Sequence, residues 1–346
     1  MKYTIGYQLP DEQDSTLEIA RDFQDSISGI YCAPAGSASA RSAIPADAQE
    51  DMLRELRAIS DLGIPITLLF NANCYGGNAI SPAFAEDIVR QVASVAERAD
   101  LREITTASPF VARVVKQHFP ALRVCASVNL WIGTPQAMEA LGDDFDAYYM
   151  QREFNRDFEQ IRRLKAWCEA HGKELKLLAN SGCLYACAFH TFHDNLVAHE
   201  SEIVRNGNAM SKHPSPCWDY MHARTRVEAA AAFLRSSWIR PEDIRHYEDL
   251  FAEMKLATRM HSNARRVVLA YTRQRFHGNL LDLTEPSFSR RFVTHILDAQ
   301  KCPEDWFEQT SRCGHRCEQC NYCLEAAKKM LTSKQELLDM YCSGTL

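Results

Sequence analysis

A (β/α)8 barrel is the fold this sequence predicts, and three observations predict it. Short apolar runs alternate with amphipathic stretches at close spacing, the pattern of parallel β/α units. Eight such runs can be counted along the chain. The sequence shows no internal repeat and no low-complexity tract that would point to another architecture.

Strands are expected at 2–8, 29–32, 64–70, 103–106, 123–128, 147–150, 175–179 and 252–256. Barrel strands are covered on both faces, so they read as nearly continuous apolar runs. Helices are expected at 48–62, 82–99, 109–118, 135–141 and 157–171, where an apolar stripe can face the strands. The rhythm breaks at 183–241, an insertion after the seventh strand that is rich in Cys, His and Trp and far longer than an ordinary βα loop. We therefore read residues 1–285 as a barrel carrying this insertion, and 286–346 as a Cys-rich metal-binding extension. Chemistry is expected at the C-terminal ends of the strands.

With 346 residues, 46% hydrophobic and 24% charged, the chain can bury one large core. Neither a basic-then-apolar leader nor an apolar run of membrane-spanning length is present, so a cytoplasmic protein with reduced thiols and no membrane partner is expected. A net charge of −6 argues against a protein that mainly grips a phosphate backbone and favours a small-molecule or peptide substrate, with RNA retained as a possibility.

The 13 cysteines fall into two groups and a few singles. Cys313, Cys317, Cys320 and Cys323 lie within eleven residues, a spacing that converges sulfurs on one metal and is closer to iron–sulfur ligation than to a zinc ribbon. Zinc is the alternative there. So short and polar a segment is expected to bury too little apolar surface to fold without its metal. The second group is Cys183, Cys187 and Cys217, in the insertion. As a ligand set it lacks one thiol, which the barrel supplies as Cys32 or Cys74 at the ends of the second and third strands; Cys32 is preferred. The alternative is that Cys183 and Cys187 are small core residues at helical spacing. Cys125, Cys168 and Cys342 are expected to be packing residues, and Cys302 is open.

Several stretches resemble the U32 peptidase family, whose members include oxygen-independent hydroxylation proteins of ubiquinone synthesis and of RNA. Gly29-Ile-Tyr-Cys32, Leu69-Phe70-Asn71 and Gln151-Arg152-Glu153-Phe154 are similar to the family's strand-end motifs. Met254-Lys255-Leu256-Ala257-Thr258-Arg259 resembles its Leu-Lys-Ile-Glu-Gly-Arg, and a helix with Tyr271 follows. Over roughly residues 25–275 the resemblance implies a barrel-like fold and an iron–sulfur cluster on Cys183, Cys187 and Cys217. Ala257-Thr258 departs from the family's Glu-Gly, and no Cys follows Trp238-Ile-Arg240-Pro-Glu-Asp, where ubiquinone-type members carry a fourth ligand. In a related partner subunit a Cys past the second strand takes that role, which supports Cys32. The group from Cys313 to Cys323 lies outside the resemblance and marks a divergent branch.

Among the remaining polar residues, Glu153 and the His190, His193 and Asp194 group are acid–base candidates; a salt-bridge partner and a hydrogen-bonded loop are the structural alternatives. Lys255 and Arg259 suit an anionic substrate or form a structural ion pair. Asn71, Asn129 and Asn180 stand at strand ends and are expected to line the same cavity. Four function classes follow. The first is an iron–sulfur oxidoreductase or hydroxylase-like enzyme with one or two 4Fe–4S clusters, served by an electron donor or partner subunit. The second is a radical S-adenosylmethionine enzyme using Cys313, Cys317 and Cys320, although Cys323 would close the open iron and such motifs normally follow an early strand. The third is a peptidase, for which no Ser/His/Asp grouping or zinc-protease helix is present. The fourth is a non-catalytic electron-transfer or binding subunit.

Overall fold

The computed structural model describes residues 1–10, 14–37, 39, 44–206 and 216–342. Its parallel strands are β1 (Lys2–Gly6), β2 (Ile27–Cys32), β3 (Ile66–Phe70), β4 (Leu101–Thr106), β5 (Arg123–Ala126), β6 (Ala147–Tyr149), β7 (Glu174–Lys176) and β8 (Glu253–Lys255). They are hydrogen-bonded in the order β7-β6-β5-β4-β3-β2-β1-β8. The two ends of this sheet meet through a single parallel bridge, in which Lys255 N donates to Leu177 O at 3.0 Å and Ala179 N donates to Lys255 O at 2.9 Å. Every predicted strand is present, with its ends displaced by no more than three residues.

Around the strands run α1 (Thr16–Asp22), α2 (Gln49–Ser60), α3 (Pro82–Ala96), α4 (Pro109–His118), α5 (Pro135–Leu141) and α6 (Phe158–Ala170). Three of them start alike, with Ser81, Ser108 or Thr134 accepting a backbone N–H and proline at the first helical turn. Helix α1 was not expected from the sequence; it is held by a Ser15–Glu18 capping box and is too short for periodicity to reveal. Between strands and helices lies an apolar layer that includes Ile5, Ile30, Leu68, Ile104, Val124 and Leu164. The barrel interior is polar in part. Lys176 on β7 reaches Glu103 on β4 at 2.8 Å, and strands so far apart in the ring can meet only through its centre.

The insertion contributes α7 (His190–Ala198), α8 (Glu200–Arg205), α9 (Pro216–His222) and α10 (Arg226–Leu234); residues 207–215 of it lie outside the described residues. After β8 come α11 (Ala264–Thr272), β9 (His295–Leu297), α12 (Trp306–Ser311), α13 (Tyr322–Met330), β10 (Leu331–Ser333) and α14 (Lys334–Cys342), with β10 antiparallel to β9. Insertion and extension share one second core. Phe233 and Trp238 from the first pack with Phe288, Phe292, Trp306 and Met330 from the second.

This corrects the expectation of a tail folded only by its metal. Ala229–Ala232 on α10 and Ala326 and Ala327 on α13 are buried in the same cluster, and small side chains let two helices approach closely enough to exclude water. Cys125 and Cys168 are buried as expected, while the side chain of Cys342 lies outside the described residues. Among the described residues, no helix is long and apolar enough to cross a membrane.

Candidate functional site

The strand C-termini open on a narrow cavity of about 70 Å³ whose lining includes Tyr31, Asn71, Asn129, Arg152, Lys255 and Arg259. Four of these, Asn71, Asn129, Lys255 and Arg259, were expected there from their strand-end positions. Arg259 reaches the mouth because β1 gives it room: a Cβ on Gly6 would stand 2.7 Å from the Arg259 backbone nitrogen. Its Nη2 donates to Ser39 Oγ at 3.1 Å. Asn129 donates from Nδ2 to Asn71 O at 3.0 Å, joining two rim loops.

Asn180 does not line the cavity. Its Nδ2 donates to Ala257 O and Leu283 O at 3.1 and 2.8 Å, and its Oδ1 accepts from Ala257 N at 2.6 Å. Backbone groups thus consume the whole amide, and Asn180 braces the exit of β7 against that of β8.

Arg152 was missed by sequence reasoning, which chose its neighbour Glu153. Both follow β6 in one short turn, and it is Arg152 that faces the cavity. Its Nη1 donates to Cys183 Sγ at 3.3 Å, and its guanidinium lies over the Trp131 ring at 5.5 Å. Burial alone would lower its pKa, but the Cys183 thiol and the Glu153 and Asp194 carboxylates hold it above the ordinary value. Glu153 is 7% exposed, and its Oε2 has no hydrogen-bond partner among the described residues.

Trp131 also packs against His190, ring centroids 3.7 Å apart. His190 Nε2 is 3.7 Å from Asp194 Oδ2, which also accepts from Asn73 Nδ2 at 3.3 Å. Burial pushes the His190 pKa down and the Arg152 charge adds to this, while Asp194 opposes both. His190 and Asp194 therefore form a pair near Arg152, but neither of them lines the cavity. His193 is half-buried on the same helix and does not line the cavity.

Cys183, Cys187 and Cys217 gather beside Arg152. Burial pushes the Cys217 thiol up to about 11, and the charges of Cys183 and Cys187 add to the rise. Cys187 is raised by burial and then by Cys183, against a backbone N–H that lowers it. Thiols that feel one another in this way suit a shared cation in kind. Yet among the described residues no three His, Cys, Asp or Glu side chains are grouped closely enough to hold a metal ion.

The preferred fourth thiol is elsewhere. Cys32 is completely buried in the apolar layer, its pKa raised to about 12 by burial and lowered only by Arg259. The reason is strand alternation: Tyr31 faces the cavity, so Cys32 points to the opposite side. Cys74 lines a separate cavity of about 560 Å³ with Tyr75, Asp87 and His199.

The second thiol group occupies the loop between α12 and α13 and the first turn of α13, where Cys323 lies. Burial raises Cys323 to about 11, with Cys313 and Cys317 adding to the rise and Arg156 and Arg235 opposing it. Cys317 is raised by burial and then by Cys313 and Cys320. Cys313 and Cys320 each accept a backbone N–H two residues on, from His315 at 3.3 Å and Tyr322 at 3.5 Å. All four thiols therefore share one neighbourhood, with Cys323 among them. Cys302, open in the sequence, is raised to about 11 by burial beside Arg240.

One contact joins the two groups. Tyr185, between Cys183 and Cys187, stacks on His315, between Cys313 and Cys317, with centroids 3.8 Å apart and planes within 5°.

Comparison with known proteins places these features in context. No family model matches the chain. It is 24% identical over 291 residues to the uncharacterized protease MJ1657 of Methanocaldococcus jannaschii, covering 82% of each chain. Its fold is similar to that of the U32 peptidase Mk0906, with a TM-score of 0.51, 18% identity, and 74% of this chain and 92% of that one covered.

Proposed function

We propose that the chain is a member of the U32 peptidase family and, within it, an iron–sulfur enzyme acting at the barrel mouth. Its reaction in this reading is an oxygen-independent hydroxylation or related modification of a small molecule, peptide or RNA base. The observation that carries it is the adjacency of the two thiol groups, stacked through Tyr185 and His315 beside an arginine-lined cavity. Cys183, Cys187 and Cys217 would have to draw closer together to hold one cluster, and Cys313, Cys317, Cys320 and Cys323 to hold the other. When bound, such clusters supply one-electron transfer and, where a protein thiolate is lacking, an iron open to a further ligand. The chain's own residues do the rest. Arg152 and Arg259 hold an anionic group of the substrate, and the His190–Asp194 pair moves a proton at His190 Nε2.

Iron and acid-labile sulfide, measured per chain after anaerobic purification and accompanied by Mössbauer spectra, test this reading. Two four-iron clusters require about eight irons. A single bound zinc would sink the proposal.

A second reading, peptidase, has the names of both relatives in its favour. It requires hydrolysis of a fluorogenic peptide library that persists in protein stripped of iron. Loss of the hydrolysis on His190→Ala would locate it at this mouth.

A further inference from the structure

Lys255 occupies the cavity in a setting unlike that of a lysine kept for its charge. It ends β8, is half-buried, and its Nζ lies 3.9 Å from the Tyr31 ring centroid and 5.0 Å from that of Tyr149. The buried carboxylate deeper in the barrel, Glu103, is already paired with Lys176 at 2.8 Å, and no carboxylate among the described residues forms a salt bridge with Lys255. Arg259 and Lys176 are both cations facing it. Glu285 and Arg152 line the same cavity, and Cys125 beneath is a buried thiol held well above its ordinary pKa.

We propose that Lys255 is a catalytic amine that forms an imine with a small carbonyl compound bearing a carboxylate, the carboxylate being held by Arg259. Burial and the two neighbouring cations bring its pKa down to about 7, against the opposing charges of Cys125 and Glu103. The faces of Tyr31 and Tyr149 both favour the ammonium, but at 3.9 and 5.0 Å they return less than the loss of water around the charge costs. Desolvation beside a second cation is a known way to free an amine for attack on carbonyls. At neutral pH about half of such a group is free amine, against roughly one in two thousand for an ordinary lysine.

The step balances without an oxidant or reductant. The nitrogen lone pair attacks the carbonyl carbon, the carbonyl oxygen takes a proton, and the carbinolamine loses water to leave the C=N bond. This function does not depend on the metal reading. A chain that carries no iron yet forms the adduct would overturn the first proposal and uphold this one.

The test is reductive trapping of the intact chain with pyruvate and sodium cyanoborohydride, followed by peptide mass mapping. Hydride adds to the imine carbon and a solvent proton to nitrogen, fixing the adduct as a secondary amine. We expect Lys255 to be labelled at least about tenfold faster than any other lysine. Its labelling should be half-maximal near the pH of about 7 set by its surroundings. Lys255→Arg, checked for an unchanged melting curve, should lose the adduct. Arg259→Gln removes a neighbouring cation and so should slow labelling by acetone modestly, but labelling by pyruvate, which also loses the partner of its carboxylate, at least about tenfold more. Labelling spread evenly over surface lysines, or a Lys255 profile that rises only near pH 10, overturns the proposal. Equal slowing of pyruvate and acetone by Arg259→Gln overturns the carboxylate assignment.

Discussion

The Lys176 ammonium is buried inside the barrel, 2.8 Å from Glu103 and 3.4 Å from Glu253. Burial alone would lower its pKa; the surrounding Tyr149, Glu103 and Cys125 hold it above the ordinary value instead. Removing one member of such a pair leaves the other charged and unpaired in a low dielectric. Lys176→Met should therefore cost about 3–5 kcal/mol in urea unfolding, with most of it recovered when Glu103→Gln is added. A single variant as stable as the parent would mean that water reaches Glu103. A second residue-scale outcome separates core thiols from ligands. Cys32 packs among apolar side chains, so Cys32→Ala should cost about 1 kcal/mol and leave the iron content unchanged. If the proposed clusters are bound, Cys217→Ala should remove about half the iron, because a cluster missing a thiolate becomes labile. Iron loss in the Cys32 variant, read by metal analysis, would restore it as the fourth ligand.

At the scale of elements, the joint between α10 and α13 decides whether the thiol-rich loop or the apolar core holds the extension. Ala230 is fully buried in that joint, so Ala230→Leu overpacks it and should cost about 1–3 kcal/mol. Cys317→Ser with Cys320→Ser should act differently, admitting trypsin near Arg312 or Arg316 while the α13 fragment stays bound to the body. Release of that fragment on gel filtration would show that the metal, and not the alanine joint, carries the attachment. The barrel elements were legible because their periodicity is imposed by burial: strands covered on both faces are continuous apolar runs, and helices between them keep one stripe. Helix α10 escapes that logic. Its consecutive alanines are buried on all sides, so no stripe separates inside from outside. The site was legible wherever position along a strand decided it, as for Asn71, Lys255 and Arg259. It was not legible where the choice fell between adjacent residues, as at Tyr31–Cys32 and Arg152–Glu153, because a sequence does not show which of two neighbours faces the mouth. Asn180 was misread because its strand-end position is right while its amide is spent on backbone groups that only the tertiary structure brings to it.

The described residues pack into two large cores and a small cluster of Cys125, Ala147 and Tyr149, and Arg156 is a charged rivet between the two large ones. Arg156 leaves the barrel just before α6 and enters the second core, where it is 7% exposed. Its Nε donates to Trp238 O at 2.9 Å and its Nη1 to Leu234 O at 3.3 Å. Its guanidinium carbon lies 5.0 Å from the Trp238 ring and 5.1 Å from that of Trp306. One side chain thus ties the barrel to the insertion through Trp238 and to the extension through Trp306. Burial lowers its pKa from the ordinary value, with Tyr247 and the Cys323 thiol opposing, but an arginine has ample margin to stay charged. Only a flat, forked cation can lie against two stacked indoles at once and donate to two carbonyls. Arg156→Lys keeps the charge and loses both features. It should cost about 3 kcal/mol, since buried carbonyls lose their donors along with the stacking. Because the lost contacts all lie between the cores, the expected sign is loss of cooperativity: the Trp fluorescence transition should precede the far-UV transition, where in the parent the two coincide. Trp238 and Trp306 are within the joint, so with Trp131, Trp167 and Trp218 replaced by Phe in both proteins the fluorescence reports the joint, and the far-UV signal is dominated by the barrel. Coincident transitions in the Lys variant would show that the two cores unfold as one unit whatever happens at Arg156, and that their coupling resides in the shared apolar surface instead.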